Sequence, residues 1–295
     1  MTKTEKSMIG KICLVTGANA GIGYAISLGL AKMGASVVMV CRDKSRGEIA
    51  VTEIKEKSDN SSISLFIADL SLQNSIRQFV TDFNTKFERL DILINNAGVI
   101  TQNRTLTKDG LETQFALNHL APFLLTELLL DSLKKSDSAR IINISSNAHQ
   151  AASINFEDLQ SEQTYKPKEV YQRTKLCNIL FTYELARQLQ GTSLTANCLH
   201  PGVITTKLLQ AYNGRKGGFN FIGKLLYNKP AKGAETALYL ASSSEVEGVS
   251  GKYFNNKKIV SSSKYSNDLT VAKELWRVSK NLTRKERGTA KNKLH

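Results

Sequence analysis

Long apolar runs are missing from this 295-residue chain. No stretch of about 18 apolar residues occurs, so a membrane-spanning helix is not expected. The start, MTKTEKSMIGK, lacks the apolar segment of a secretory leader, so no signal peptide is expected. Histidine is scarce: His119, His149, His200 and His295 form no cluster in sequence, and no metal site is expected. Cys13, Cys41, Cys177 and Cys198 have neither metal-ligand nor redox spacing. Buried, reduced thiols in a cytoplasmic protein account for them most simply. Internal repeats and low-complexity linkers are absent too.

Acidic residues fall short of basic ones, 26 against 40, for a formal charge of +14. Part of the excess sits at the end, where eight Lys or Arg face two Glu from Thr270 onward. An anionic cofactor, an acid-rich partner or a membrane surface could use that charge. No aromatic-plus-basic module or zinc spacing accompanies it, so nucleic acid is not expected. A solvated basic tail is the preferred reading, with peripheral lipid contact as the alternative.

What is present is an alternation. With 41% hydrophobic and 22% charged residues, the composition is that of a soluble globular protein. Short apolar runs predict strands at 12–15, 37–41, 63–67, 92–94, 141–144 and 194–199, with a short seventh at 252–254. Helix-like segments separate them at 22–33, 44–57, 72–87, 110–133, 171–189 and 231–240. Buried strands joined by helical crossovers predict an α/β fold: a doubly wound parallel sheet of about seven strands with helices on both faces. The spacing of Leu269, Ala272, Leu275, Trp276 and Leu282 predicts a last amphipathic helix. The expected organisation is one domain over 1–260 and a basic C-terminal appendage over 261–295.

TGANAGIG, Thr16 to Gly23, follows the first strand and opens the first helix. A helix N-terminus there suits an anion. Gly17 permits a tight turn, Gly21 a close backbone approach to a pyrophosphate, and Gly23 tight helix–strand packing. Asn19, Ala20 and Ile22 complete the expected contact surface. The second strand ends in Cys41-Arg42, where NAD binders usually carry Asp or Glu. A guanidinium suits a 2′-phosphate, which favours NADP(H) over NAD(H). Tyr171 and Lys175 stand four residues apart in a helical pattern, hence on one face. A nearby ammonium favours the phenolate and makes the hydroxyl usable as acid or base near neutral pH.

Together these motifs resemble the short-chain dehydrogenase/reductase family over nearly the whole chain. The matching residues are Thr16-Gly17-x-x-x-Gly21-x-Gly23, Asp69-Leu70, Asn95-Asn96-Ala97-Gly98, Asn118, Ser146, Tyr171-x-x-x-Lys175 and Pro201-Gly202. The resemblance implies hydride transfer between a nicotinamide and a carbonyl or alcohol. It implies Tyr171 as general acid or base and Lys175 as its tuner and a holder of the nicotinamide ribose. Ser146 would be the hydrogen-bond donor to the substrate oxygen, with Ser145 as the alternative. Asn118, midway along a helix, would fix a water linking Lys175 to solvent. Asn95, Ala97 and Gly98 would line the adenosine ribose, Asp69 and Leu70 the adenine, and Pro201, Val203 and Thr206 the nicotinamide.

The long insert between Ser146 and Tyr171, with INFEDLQ, CRD and LNHLAPFLLT, resembles the retinol-dehydrogenase-like branch. Members of that branch often carry an N-terminal membrane segment. None precedes the first strand in this sequence, so anchoring is not carried over, and the expected substrate is a lipophilic aldehyde, ketone or retinoid-like molecule. The segment at about 205–230 mixes glycine with Phe219, Phe221, Ile222, Leu225, Leu226 and Tyr227. It is expected to close as a lid over a small lipophilic substrate. Related proteins are often dimers or tetramers through the helices bearing Asn118 and Tyr171. Two rival functions are a double-bond reductase resembling protochlorophyllide reductase and a non-catalytic NADP-sensing or scaffold protein of the same fold.

Overall fold

A computed structural model describes residues 7–202 and 230–284. Val203, Thr206 and all but the last residue of the expected lid lie outside the described residues, as does the tail from 285.

The strands are β1 Ile12–Thr16, β2 Ser36–Cys41, β3 Ile63–Ile67, β4 Ile92–Asn95, β5 Arg140–Ile144, β6 Thr195–His200, β7 Tyr253–Asn255 and β8 Lys258–Ile259. They form one sheet in the order β3-β2-β1-β4-β5-β6-β7-β8. Every pairing up to β7 is parallel, and β8 returns antiparallel on β7. The expectation of about seven strands holds, with an eighth short strand among the described residues. Asn256 and Lys257, both at positive φ, make the tight reversal that adds the last one. β1 lies between β2 and β4, so the crossovers diverge there and open a crevice at the carboxyl ends of the strands.

Eight α-helical segments are described: α1 Gly21–Lys32, α2 Lys44–Ser58, α3 Gln73–Lys86, α4 Thr113–Phe115, α5 Ala121–Lys134, α6 Pro167–Gln188, α7 Pro230–Ser242 and α8 Leu269–Leu282. Successive strand residues point to opposite faces. Cys13 and Val15 of β1 therefore meet Ile26 and Leu30 of α1 and Leu240 of α7. Leu14 meets Phe79 and Phe83 of α3 and Leu125 and Leu129 of α5 in the second layer. On a third seam, α8 sets Ala272 and Leu275 against Leu176 and Leu180 of α6. Trp276 of α8 stacks on Phe181 at 5.8 Å, and Ser279 meets His119 Nε2 at 2.8 Å. Burial pushes His119 down to about 3, which keeps the imidazole neutral in that seam.

The helix expected over 110–133 is interrupted. Glu112 caps α4 by accepting from Gln114 N and Phe115 N, and Ala116–Leu120 is a π turn before α5. Pro122 is the cause: it has no N–H for the carbonyl of Asn118, and its ring crowds that carbonyl. Asn118 consequently sits in the wide turn rather than in regular helix.

At the amino ends of the strands, far from the crevice, Asp91 is 1% exposed. It accepts from Ile12 N at 2.8 Å and Ser136 Oγ at 2.7 Å, with Arg89 and Lys11 within 3.6 Å. Burial pushes its pKa up, but those donors and cations outweigh burial and hold it below the ordinary carboxylate value. Its contribution is complete above the unfolded pKa of about 3.9 and is lost as pH falls through the lower folded value. Asp91→Ala should cost about 3 kcal/mol in urea unfolding at pH 7. Turnover per folded molecule should be unchanged.

Candidate active site

The glycine turn is tied to the end of β4 by side chains. Thr16 Oγ1 accepts from Asn96 N at 2.9 Å and Ala97 N at 3.0 Å, and Asn96 Nδ2 donates to Thr16 O at 2.8 Å. Gly17 and Gly21 have φ of +64° and +57°, which disfavours any residue with a Cβ. A Cβ on Gly23 would lie 2.3 Å from Gly17 O and 2.5 Å from Asn96 Nδ2. The first turn of α1 can therefore sit against the loop only with glycine there. No side chain caps α1, and no acidic residue stands in its first turn. Its N–H groups and positive dipole end are thus left for an external anion.

At the adenosine end, Arg42 follows β2 with its side chain exposed. Its Nη1 is 3.9 Å from Asp69 Oδ2, beyond the end of β3. An ion pair that open to water is weak. Asp69 Oδ1 accepts from Ser71 N at 3.0 Å and Ser71 Oγ at 2.6 Å. Asp69 is thus committed partly to its own turn, and Leu70 beside it is buried.

The Asn95 amide nitrogen turns inward. Its Nδ2 donates to Asn143 Oδ1 at 2.8 Å and Thr126 Oγ1 at 3.2 Å, within the protein interior. Asn143 continues the chain to Thr182 of α6 at 2.9 Å. Asn95 Oδ1 is buried without a hydrogen-bond partner, while Asn96 fastens the turn. Gly98 brings the same loop close to the Tyr171 helix: a Cβ there would meet Asn118 Oδ1 at 3.3 Å and Lys175 Nζ at 3.8 Å.

The Asn118 side chain bonds on both sides. Its Oδ1 accepts from Val99 N at 2.8 Å, and its Nδ2 donates to Val99 O at 2.9 Å and Thr174 Oγ1 at 3.1 Å. The side chain clamps the loop after β4 to α6.

Tyr171 and Lys175 lie one turn apart on α6, both nearly buried. Lys175 Nζ is 5.5 Å from the centroid of the Tyr171 ring and donates to Ile144 O at 3.0 Å. Burial pushes Lys175 down to about 8, with no carboxylate to offset it. The two serines after β5 separate cleanly. Ser145 is buried and donates to Lys175 O at 2.8 Å. Ser146 is half-buried, and its Oγ accepts from Ala148 N at 3.2 Å. That bond leaves the Ser146 proton available to a substrate. Pro201 and Gly202 follow β6, with Gly202 at φ +86°.

These groups come from the carboxyl ends of six neighbouring strands, where a parallel sheet binds ligands. Thr16 and Asn96 stood in the quoted motifs without an assigned role, and Asn143 was not singled out in the sequence. Asn96 carried a signal, as the second residue of the Asn95-Asn96 pair. Among the described residues, no cluster of three His, Cys, Asp or Glu could hold a metal ion. No described helix is long and apolar enough to cross a membrane.

Residues 11–217 match the family of short chain dehydrogenases. The chain is 43% identical over 290 residues to mouse retinol dehydrogenase 14, covering 92% of this chain and 85% of that protein. It is 39% identical over 280 residues to human polyprenol dehydrogenase, again covering 92% and 85%. Its fold matches that of the Pseudomonas aeruginosa RhlG/NADP active-site complex with a TM-score of 0.70, over 90% of this chain and 100% of that one, at 24% identity. The match over residues 11–217, the eight-stranded sheet and the retinol dehydrogenase relatives agree: the chain belongs to the short-chain dehydrogenase family, in its retinol-dehydrogenase-like branch.

Proposed function

We propose that the protein is an NADP(H)-dependent oxidoreductase that interconverts a lipophilic aldehyde or ketone and its alcohol. The observation that carries this reading is Lys175, a buried ammonium with no carboxylate partner among the described residues, held beside Tyr171 and next to the Gly98 loop. A buried cation without a counter-ion is costly unless a ligand or a reacting group uses it.

The cradle fits a dinucleotide. Gly17 and Gly21 hold the turn at positive φ, Gly23 lets α1 close on it, and the uncapped end of α1 suits a pyrophosphate. Arg42 would take the 2′-phosphate, Asp69 and Leu70 would border the adenine, and Lys175 and Pro201 would border the nicotinamide end. Bound NADPH would supply the hydride.

The chain's own residues handle the proton. The Ser146 hydroxyl donates to the substrate carbonyl oxygen and steadies its developing negative charge. Tyr171 delivers a proton to the same oxygen as charge accumulates. The Lys175 ammonium stabilises the phenolate left behind. A water linking Lys175 to solvent would need a partner other than the occupied Asn118 amide. The Asn118 main-chain carbonyl, whose α-helical donor Pro122 removes, is the group for it. In oxidation each transfer reverses.

The names of the retinol and polyprenol dehydrogenase relatives support a long apolar alcohol or aldehyde as substrate. The four unpaired, buried cysteines support a reducing, cytoplasmic setting. Initial rates with retinal, medium-chain aldehydes and small ketones, each with NADPH and with NADH, test the reading. Arg42→Ala should raise the KM for NADPH by about tenfold to a hundredfold, the worth of a charge-assisted contact, and leave that for NADH unchanged. Equal or better wild-type kinetics with NADH would refute the cofactor assignment.

A further inference from the structure

The turn that carries Ser146 is held by two imidazoles. Asn147–Ala151 forms a 3-10 turn with Ser146 as its cap. His149 is fully buried beneath it, its ring edge-on to Tyr253 of β7 at 5.0 Å. The backbone N–H of Ser263 donates to His149 Nε2 at 3.1 Å. A backbone amide can only donate, so Nε2 carries no proton. The proton of the neutral ring is therefore on Nδ1, which lies 2.6 Å from Ser146 O and donates to it. His200, the last residue of β6, accepts from Asn147 N through Nδ1 at 3.3 Å, and Tyr253 OH donates to Asn147 Oδ1 at 2.7 Å.

The two rings are each other's titratable neighbours, Tyr253 of β7 packs on His149, and Cys198 of β6 and Tyr183 of α6 stand beyond Tyr253. Burial pushes both rings toward the neutral form, against the Ser146 carbonyl bond in the case of His149. The segment that supplies Ser263 leads directly into α8, which docks on α6. One ring thus joins the main chain of Ser146 to the C-terminal part of the protein.

We infer that His149 is a positioning residue: its Nδ1–H aims Ser146 at the substrate by fixing the Ser146 carbonyl, and its Nε2 anchors the ring to Ser263. The inference rests on the proposed role of Ser146 as donor to the substrate oxygen. Two conservative replacements separate the two bonds. The Asn amide nitrogen reaches about where Nδ1 stands, and the Gln amide oxygen about where Nε2 stands.

The experiment uses the full chain. Imidazole ¹⁵N–¹H spectra of the free protein should show His149 protonated on Nδ1 and bare on Nε2. The opposite tautomer overturns the inference whatever the activity. In steady-state assays, His149→Gln and His149→Ala should lower kcat by about tenfold to a hundredfold, the cost of a slightly misplaced group, with the Kd for NADPH within about twofold of wild type. His149→Asn should recover the larger part of that loss. Losses in kcat that follow only the thermal stability of each variant, with Asn and Gln alike, overturn it, as does wild-type kcat in all three. If Tyr171→Phe abolishes turnover while every His149 variant is fully active, this inference fails and the enzyme reading stands. If the wild-type protein reduces no carbonyl, both fall.

Discussion

Tyr171→Phe should lower kcat for aldehyde reduction by about two to four orders of magnitude, the usual worth of a positioned general acid. The Kd for NADPH should stay within about twofold. The substitution removes one oxygen and keeps the ring whose centroid lies 5.5 Å from Lys175 Nζ. Tyr171 is 6% exposed and packed within α6, so Phe fills the same volume and the fold should hold. What disappears is the proton that must reach the substrate oxygen. Single-turnover kinetics together with a fluorescence titration of NADPH separate chemistry from binding. A Phe variant with near-wild-type kcat would remove the mechanism, because the hydroxyl of Thr182, two turns along the same helix face, is buried and committed to Asn178 O.

Lys175→Met carries the second large effect, in two directions at once. Turnover should fall by about a hundredfold or more, since the phenolate loses its cation. Stability of the ligand-free protein should rise. Burial pushes the Lys175 pKa from 10.5 down to about 8, so at pH 7 the fold must hold a charged ammonium that water would solvate better. Between about pH 8 and pH 10.5 the unfolded chain binds more protons at this site than the folded one does. Stability therefore climbs with pH across that window as the penalty fades. Methionine has a similar length and no charge to desolvate. The gain in urea unfolding should reach about 1–3 kcal/mol at pH 7 and vanish above about pH 10.5. A variant less stable than wild type at pH 7 would mean that the Ile144 bond outweighs burial, and the reading of Lys175 as a functionally retained charge would fall.

The sheet was legible in advance because its strands are short apolar runs buried on both faces. Those at 12–15, 63–67 and 141–144 reappear within a residue at each end. The edge was not legible: Lys258–Ile259 is a two-residue strand formed by a reversal at Asn256-Lys257, with no hydrophobic pattern to announce it. The break at Ala116–Leu120 could have been read from Pro122, but the apolar periodicity on either side masked it. In the site, the motif residues at strand ends converge as spaced, because parallel topology collects those ends. Side-chain direction was the part that spacing could not supply. Asn95 and Asn96 are neighbours, yet one amide turns inward to Asn143 and the other fastens the glycine turn. Ser145 and Ser146 likewise differ only in the alternation of a strand running out into a turn.

The short hairpin strand β8 has a consequence for handling the protein at high concentration. A parallel sheet ending at β7 would offer a row of unpaired amides to any extended chain nearby. Two residues folded back on β7, one of them Lys258 and preceded by Lys257, blunt that edge with charge and brevity. On the far side, Lys86 lies over the rings of Phe66 and Phe87 beside β3. Both borders of the sheet thus carry lysines, a guard against the strand-to-strand stacking from which fibrils grow.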